Sequence, residues 1–150
     1  EMLRSLVGSE MCIRDSRDVA EGIHHIQSIP PVNSSAYKRF AQAAGIDPAT
    51  LAIFPSNVWD QISVLALAIE QAGSADPARY AAAIPLVANG QGAKVESPVD
   101  GLKALRAGQA VAYSGAGSQF TFTPNGDQLN REFGHFVIKN GANQLLEVLH

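Results

Sequence analysis

The sequence predicts an α/β protein in which helices come first and a small group of strands follows. The segment 57–72 repeats apolar residues at helical spacing and ends at Gly73, which is typical of a helix that stops in the left-handed conformation. Beyond Gly108 the helical repeat gives way to short β-branched and aromatic runs separated by turn residues. These few strands cannot cover the helices, so we expect an incomplete α/β fold whose main sheet is supplied elsewhere.

The remaining elements are predicted from capping residues and turn residues. Asn33, Ser34 and Ser35 can cap the first of the helices, which Gly45 ends, and residues 74–77 start the third, with Pro77 at its first position. Asn140-Gly141 is predicted to be the turn between the last two strands. Helices are predicted at 36–44, 57–72, from 77 onward and from 97 to 108. Strands are predicted at 22–29, 110–113, 119–122, 134–138 and 144–149, and 87–96 is predicted as a loop because it holds two glycines and no periodicity.

The longest predicted helix should be a core element. Ser56 or Asn57 is its expected cap, and Asp60 is expected in the first turn, where the helix dipole favours an anion. Apolar residues occupy most of its circumference, so we expect neighbours on more than one side. The face that follows the helical repeat most closely is formed by Val58, Ile62, Leu65, Ile69 and Ala72.

Composition excludes several classes of function. With 11 basic and 14 acidic residues, the formal net charge is −3, and no Lys/Arg cluster favours nucleic acid or an anionic membrane as a partner. Cys12 is the only cysteine, which excludes a disulfide framework and a cysteine-based metal site. No apolar run is long enough to span a bilayer.

Residues 1–16 are expected to be a non-native leader. Residues 6–15 read Leu-Val-Gly-Ser-Glu-Met-Cys-Ile-Arg-Asp, which is what translation of the transposon-adapter end of a tagmentation sequencing library gives. The alternative is a short amphipathic helix. Foreign sequence is set aside before fold reasoning, so the natural portion is expected to be 17–150, without its signal peptide.

Three stretches, taken in order, resemble the periplasmic substrate-binding proteins for branched-chain amino acids. Residues 18–23 (Asp-Val-Ala-Glu-Gly-Ile) resemble the Asp-Ala-Ala-Glu-Gly-hydrophobic crossover segment of that family. Residues 59–74 resemble its helix with the motif Tyr-Asp-Ala…Leu-Ala-Leu-Ala-Ile-Glu…Ala-Gly-Ser. Residues 105–127 resemble its Ala-Gly…Tyr-Glu-Gly-Ala-Ser-Gly…Asn-Gly-Asp tail. Trp59 in place of Tyr, and Thr123 in place of Asp, indicate a divergent subgroup.

The resemblance implies a type I binding-protein fold, with two α/β lobes, a hinge and a ligand held between them. Residues 17–150 would be its C-terminal portion: mostly first-lobe helices, hinge strands and a final β-hairpin. Such a protein is not an enzyme and needs no cofactor. It captures an amino acid or related small molecule in the periplasm, or as an extracytoplasmic lipoprotein, and delivers it to an ABC permease.

The resemblance also implies candidate ligand-binding residues. Family receptors often set an aromatic residue against the ligand just before the long helix, and Phe54 occupies that place. Asn57 and Trp59, the only tryptophan, are further candidates. The alternatives are that Phe54 and Trp59 pack in the core and that Asn57 is a helix cap.

Other patterns receive a structural interpretation. His24 and His25 should point to opposite faces of a strand and cannot converge on one metal ion, and 113–118 is predicted to be a glycine-containing bend. Two alternatives to solute transport stay open: the sensing domain of a signalling receptor with the same fold, and, more remotely, a hydrolase that uses Ser114 or Ser118 with His135.

Overall fold

The computed structural model describes residues 17–118, 121–129 and 132–149, and the expectations for residues 1–16 lie outside this part. The described residues form two compact units, a sheet unit (17–28 and 132–149) and a helical unit (29–118 and 121–129). The elements are α1 (Arg17–Ala20), β1 (His24–Ile29), α2 (Ser35–Ala44), α3 (Ile53–Ala72), α4 (Pro77–Ala88), β2 (Ala93–Val95), α5 (Pro98–Arg106), β3 (Val111–Tyr113), β4 (Thr121–Phe122), β5 (Gln128–Leu129), β6 (Glu132–Lys139) and β7 (Ala142–Leu149).

The sheet unit is built on three strands in the order β1-β6-β7. Strands β6 and β7 form an antiparallel hairpin, as the sequence predicts. Its turn is Asn140-Gly141, and both residues have positive φ (55° and 71°), the combination that matches the natural twist of paired strands. The Gly22 N–H donates to the Ile138 carbonyl at 2.9 Å, and the Glu21 carboxylate accepts from the Asn140 N–H at 2.8 Å.

Local capping chemistry sets most helix ends of the helical unit. The Ser34 hydroxyl accepts from the Tyr37 N–H at 3.1 Å at the start of α2, and Gly45 ends that helix in the left-handed conformation. Asp76 caps α4 with Pro77 in its first turn, and Gly73 ends α3. These predicted positions are confirmed.

The core of the helical unit lies between α3, α4, α5 and the short parallel pair β2-β3. Leu67 of α3 is fully buried at its centre, and a Cβ on Gly101 of α5 would lie 2.6 Å from a Leu67 methyl carbon. The two helices therefore pack closely because α5 has no side chain at that point. The buried cluster consists of Val64, Leu67, Ala68, Ala83, Val87, Val95, Val111 and Tyr113.

The prediction of a loop over 87–96 is wrong. Helix α4 continues to Ala88, and β2 then pairs in parallel with β3. The two glycines that suggested a loop lie where backbones approach each other. A Cβ on Gly90 would be 2.1 Å from the Val111 carbonyl oxygen, and one on Gly92 would be 2.0 Å from that of Ala110. These glycines permit the strand pairing.

The predicted start of the long helix is also wrong. Helix α3 begins at Ile53, with Ala52 as an N-cap that makes no side-chain hydrogen bond. Asn57 is therefore not a cap, and Asp60 lies in the third turn and not in the first. Pro55 is tolerated because it falls within the first turn, where no intrahelical N–H bond is lost. The Ser56 hydroxyl donates back to the Ile53 carbonyl at 2.9 Å.

The buried face of α3 is not the one that the sequence predicts. Val58 and Ile62 are 54% and 63% exposed, whereas the polar Asp60 is fully buried. The inward residues are small or polar apart from Val64 and Leu67, which allows neighbouring segments to approach the helix closely. They are Ser56, Asp60, Ser63, Val64, Leu67 and Ala68.

The start of α3 depends on a hydroxyl from α2. Tyr37 is fully buried, and its hydroxyl accepts from the Ala52 N–H at 2.9 Å and donates to the Thr50 carbonyl. The Tyr37→Phe variant should lose both hydrogen bonds and about 1–2 kcal/mol of unfolding free energy in urea. Tyr80→Phe, which removes a hydroxyl outside this contact, should change the unfolding free energy by less than ~0.5 kcal/mol. Equal losses in the two variants would contradict this role.

Candidate functional site

An apolar groove runs along the first half of α3. It encloses about 630 Å³ and is lined by Phe54, Pro55, Val58, Trp59, Ile62, Ser63 and Pro98. Its polar side-chain groups are the Trp59 indole N–H and the Ser63 hydroxyl, which donates to the Trp59 carbonyl at 2.7 Å. Walls of this kind suit an apolar group of a ligand.

The structure brings two of the three candidate residues into this groove. Phe54 is 75% exposed, so the interpretation that it packs in the core is wrong. Trp59 is half-buried, and its ring centre lies 5.7 Å from that of Phe40 at an interplanar angle of 59°. Its packing on α2 holds Trp59 in place beside the groove.

Asn57 lies outside the groove lining. Its Oδ1 atom faces Gly117, where an added Cβ would be only 2.6 Å away. Asn57 therefore contacts the segment 113–118, which follows β3. This segment is the predicted glycine-containing bend, and the structure confirms bends at 116–118.

The buried carboxylate of Asp60 holds the segment 113–118 against α3. We call Asp60 and this segment together the Asp60 clamp. Asp60 Oδ1 accepts from the Tyr113 hydroxyl at 2.9 Å and from the Ala116 N–H at 2.8 Å. Asp60 Oδ2 accepts from the Gly117 N–H at 2.6 Å. A buried charge is costly unless donors replace its water, and here the backbone supplies most of them.

Glycine is required for this approach. A Cβ on Gly115 would lie 2.3 Å from Asp60 Oδ2, well inside van der Waals contact. Any side chain at that position would push the segment away from the carboxylate. The sequence does not predict the Asp60 clamp, although alternating glycines at 115 and 117 and a single aspartate in an otherwise apolar helical stretch are the signal that could have revealed it.

Burial and hydrogen bonding act on the Asp60 pKa in opposite directions. Desolvation raises the pKa of Asp60 above its ordinary value of 3.8, and the N–H donors of Gly117 and Ala116 oppose this rise. Burial, together with the nearby Asp60 charge, also raises the pKa of the Tyr113 phenol. The phenol consequently stays protonated and donates to the carboxylate.

A second, more polar pocket of about 370 Å³ is lined by Ala88, Asn89, Gly90, Gln91, Lys94, Ala112, Tyr113, Ser114 and Thr121. Ser114 is one of the two serines of the hydrolase alternative. That alternative needs a histidine base, and both ring nitrogens of His135 are engaged, with His24 at 2.8 Å and Glu147 at 2.9 Å. His135 therefore has no ring nitrogen left to serve as that base.

Within residues 17–118, 121–129 and 132–149, no group of three or more His, Cys, Asp or Glu side chains could hold a metal ion. In the same part of the chain, no helix is long and apolar enough to cross a membrane. His24 and His25 contact different partners: His25 Nε2 lies 3.0 Å from Asn143 Oδ1, and its ring stacks on Phe136.

Replacing the buried carboxylate should loosen the segment 113–118. Asp60→Ala removes both acceptor oxygens and leaves the N–H groups of Ala116 and Gly117 without this acceptor. We expect a loss of about 3 kcal/mol of unfolding free energy in urea. Asp127→Ala, at an exposed aspartate, is the matched control and should lie within ~0.5 kcal/mol of the parent. An Asp60→Ala protein as stable as this control would exclude a stabilising role for the Asp60 side chain.

The raised pKa of Asp60 predicts a specific pH dependence. The folded state binds the Asp60 proton more tightly than the unfolded chain does, so protonation of Asp60 stabilises the fold. This stabilisation is complete below about pH 3.8 and is lost as the pH rises through the pKa of Asp60 in the folded state. The carboxyl carbon of Asp60 should titrate in NMR with a midpoint above 3.8. A midpoint for Asp60 below 3.8 would show that the hydrogen bonds outweigh desolvation.

Comparisons with known proteins bear on the fold. No protein-family model and no curated protein matches the chain. Among solved structures, the chain is similar to the leucine binding protein LivK from Thermotoga maritima MSB8, with a TM-score of 0.61 and 21% sequence identity. The match covers 93% of this chain and 34% of that protein, so the chain spans about a third of its length. At this identity the comparison establishes fold alone: the chain has the α/β architecture of a type I periplasmic binding protein, as the sequence predicts.

Proposed function

We propose that the chain is the C-terminal portion of a solute-binding protein that captures an amino acid or related small molecule between two lobes and delivers it to an ABC permease in the periplasm. The similarity to a leucine binding protein supports a ligand-binding role for this fold. The observation that carries the proposal is the exposed Phe54 beside Trp59 in an apolar groove.

The groove matches the apolar side chain of such a ligand better than its charged groups. The Ser63 hydroxyl already donates to a backbone carbonyl, and the only other polar side-chain group of the lining is the Trp59 indole N–H. A leucine-like side chain placed against Phe54 and Trp59 would remove apolar surface from water on both partners, which is the main source of affinity for such a group. Groups for the ligand's carboxylate and ammonium would have to come from outside the groove.

We propose Phe54 and Trp59 as direct ligand contacts. Asn57 is proposed to act indirectly, because its Oδ1 lies against Gly117 and outside the groove lining. The segment 113–118 would then be held in place by two residues of α3, Asn57 and Asp60, one and two turns away from the start of the groove.

Exposed apolar residues on α3 support the proposal that 17–150 belongs to a longer protein. Phe54, Val58 and Ile62 are more than half exposed and follow one face of the helix at four-residue spacing. An exposed apolar strip of this kind typically marks a surface that another segment or a ligand covers. We propose that the helical unit belongs to the first lobe and that β1, β6 and β7 provide the hinge and final strands.

Tryptophan fluorescence provides a direct test of the groove. Trp59 is the only tryptophan of the chain, so an amino acid with an apolar side chain that enters the groove should change the emission. In the protein expressed from its full gene, we expect leucine to change the emission, Trp59→Phe to remove this change, and Phe54→Ala to weaken binding about 10-fold, as expected for the loss of roughly 1–2 kcal/mol of aromatic contact.

Phe133→Ala is the matched control, since Phe133 is also a partly exposed phenylalanine but lies on β6. It should leave the affinity unchanged. Polar amino acids should bind more weakly than leucine in calorimetry. Binding that neither changes the Trp59 emission nor responds to Phe54→Ala would overturn the proposed role of the groove.

A further inference from the structure

Three side chains on neighbouring strands of the sheet unit form a continuous hydrogen-bonded row. His24 of β1 lies with Nδ1 2.8 Å from Nε2 of His135 on β6. The other ring nitrogen of His135, Nδ1, lies 2.9 Å from Oε1 of Glu147 on β7. His135 and Glu147 are directly opposite each other in the β6-β7 register. Rigid strands therefore determine the spacing of all three residues.

The row fixes the tautomer of His135. An ionised Glu147 carboxylate accepts hydrogen bonds and cannot donate them, so Nδ1 of His135 carries the proton. The lone pair on Nε2 of His135 then points toward His24. This arrangement, a carboxylate behind one nitrogen and an acceptor lone pair on the other, is the one that metal-binding histidines usually show. His24 Nδ1 shares a single proton with that lone pair, and a metal ion can replace this proton.

We propose that His24 and His135 form a two-histidine chelate for a divalent transition-metal ion, with Glu147 orienting His135 from behind. His24 is exposed, and the side chain of His135 is 27% exposed, so water can reach both rings and complete the coordination shell. To bind one ion, both rings would have to turn so that their lone pairs point to it and no longer to each other.

The spacing of the two nitrogens favours a particular class of ion. Nitrogens 2.8 Å apart subtend roughly 84–89° at an ion that lies about 2.0–2.1 Å from each. This value is close to a right angle, the cis angle of square-planar and octahedral sites, and well below the tetrahedral angle of zinc. Cu²⁺ and Ni²⁺ prefer these geometries and bind imidazole well.

The neighbouring histidine provides a built-in control. His25 bonds Asn143 and stacks on Phe136 at a ring-centre distance of 5.2 Å, so it takes no part in the row. An ion bound by His24 and His135 would join β1 to β6 and stabilise the sheet unit, because it binds the folded state and not the separated strands.

Titration with Ni²⁺ alone, on the full chain without an affinity tag, tests this site. We expect one Ni²⁺ per chain in calorimetry and a rise in Tm with Ni²⁺. His24→Ala and His135→Ala should each abolish both effects, His25→Ala should retain them, and Glu147→Gln should weaken the affinity about 10- to 100-fold.

A second measurement needs no substitution. In NMR spectra of the parent protein, paramagnetic Cu²⁺ should broaden the ring signals of His24 and His135 at stoichiometric amounts and leave those of His25 sharper. Absence of Ni²⁺ binding up to millimolar concentration would overturn the proposal. So would binding that survives both His24→Ala and His135→Ala, or equal broadening of all histidine signals.

Discussion

The buried carboxylate of Asp60 is the constraint on which the arrangement of the helical unit depends. A charge without water must find donors nearby, and its partners here are the Tyr113 hydroxyl and the N–H groups of Ala116 and Gly117. These partners belong to β3 and the segment after it. The hydrogen bonds that the Asp60 carboxylate needs therefore attach that segment to α3. The polar face of α3 must therefore turn inward, which leaves Val58 and Ile62 outside.

The same constraint explains where glycine occurs. Gly115 lies where a Cβ would meet the Asp60 carboxylate, and Gly117 where one would meet Asn57. Gly90 and Gly92 allow the backbone beyond α4 to approach that of β3. At these four positions glycine is needed for close packing between segments, and this need differs from the turn geometry that Gly73 supplies at the end of α3.

Features that depend on adjacent residues could be predicted from the sequence. The Ser34 cap, the Asp76-Pro77 helix start and the Asn140-Gly141 turn each involve a few neighbouring residues, and all three are found as expected. The α/β class and the type I architecture followed from the order of elements and from the family resemblance. These predictions needed no knowledge of which distant segments meet.

Features that depend on distant partners could not be predicted in this way. Strand β2 exists because Val111–Tyr113 lies beside it, and nothing in its own three residues indicates pairing. The inward face of α3 was assigned by hydrophobicity, which fails when a buried carboxylate is matched by donors more than 50 residues away. The contact between His24 and His135 escaped the sequence for the same reason, because the residues are 111 positions apart.

The Asp60 clamp also accounts for the form of the apolar groove. Because Asp60 and Ser63 point inward, the residues on the outer side of the same turns, Val58 and Ile62, form part of the groove wall. Trp59 lies between the two faces and packs on Phe40, so its ring cannot withdraw from the groove without disturbing α2. A polar interaction inside the helical unit thus determines that an apolar surface is presented outside it, at the position where we propose that the ligand binds.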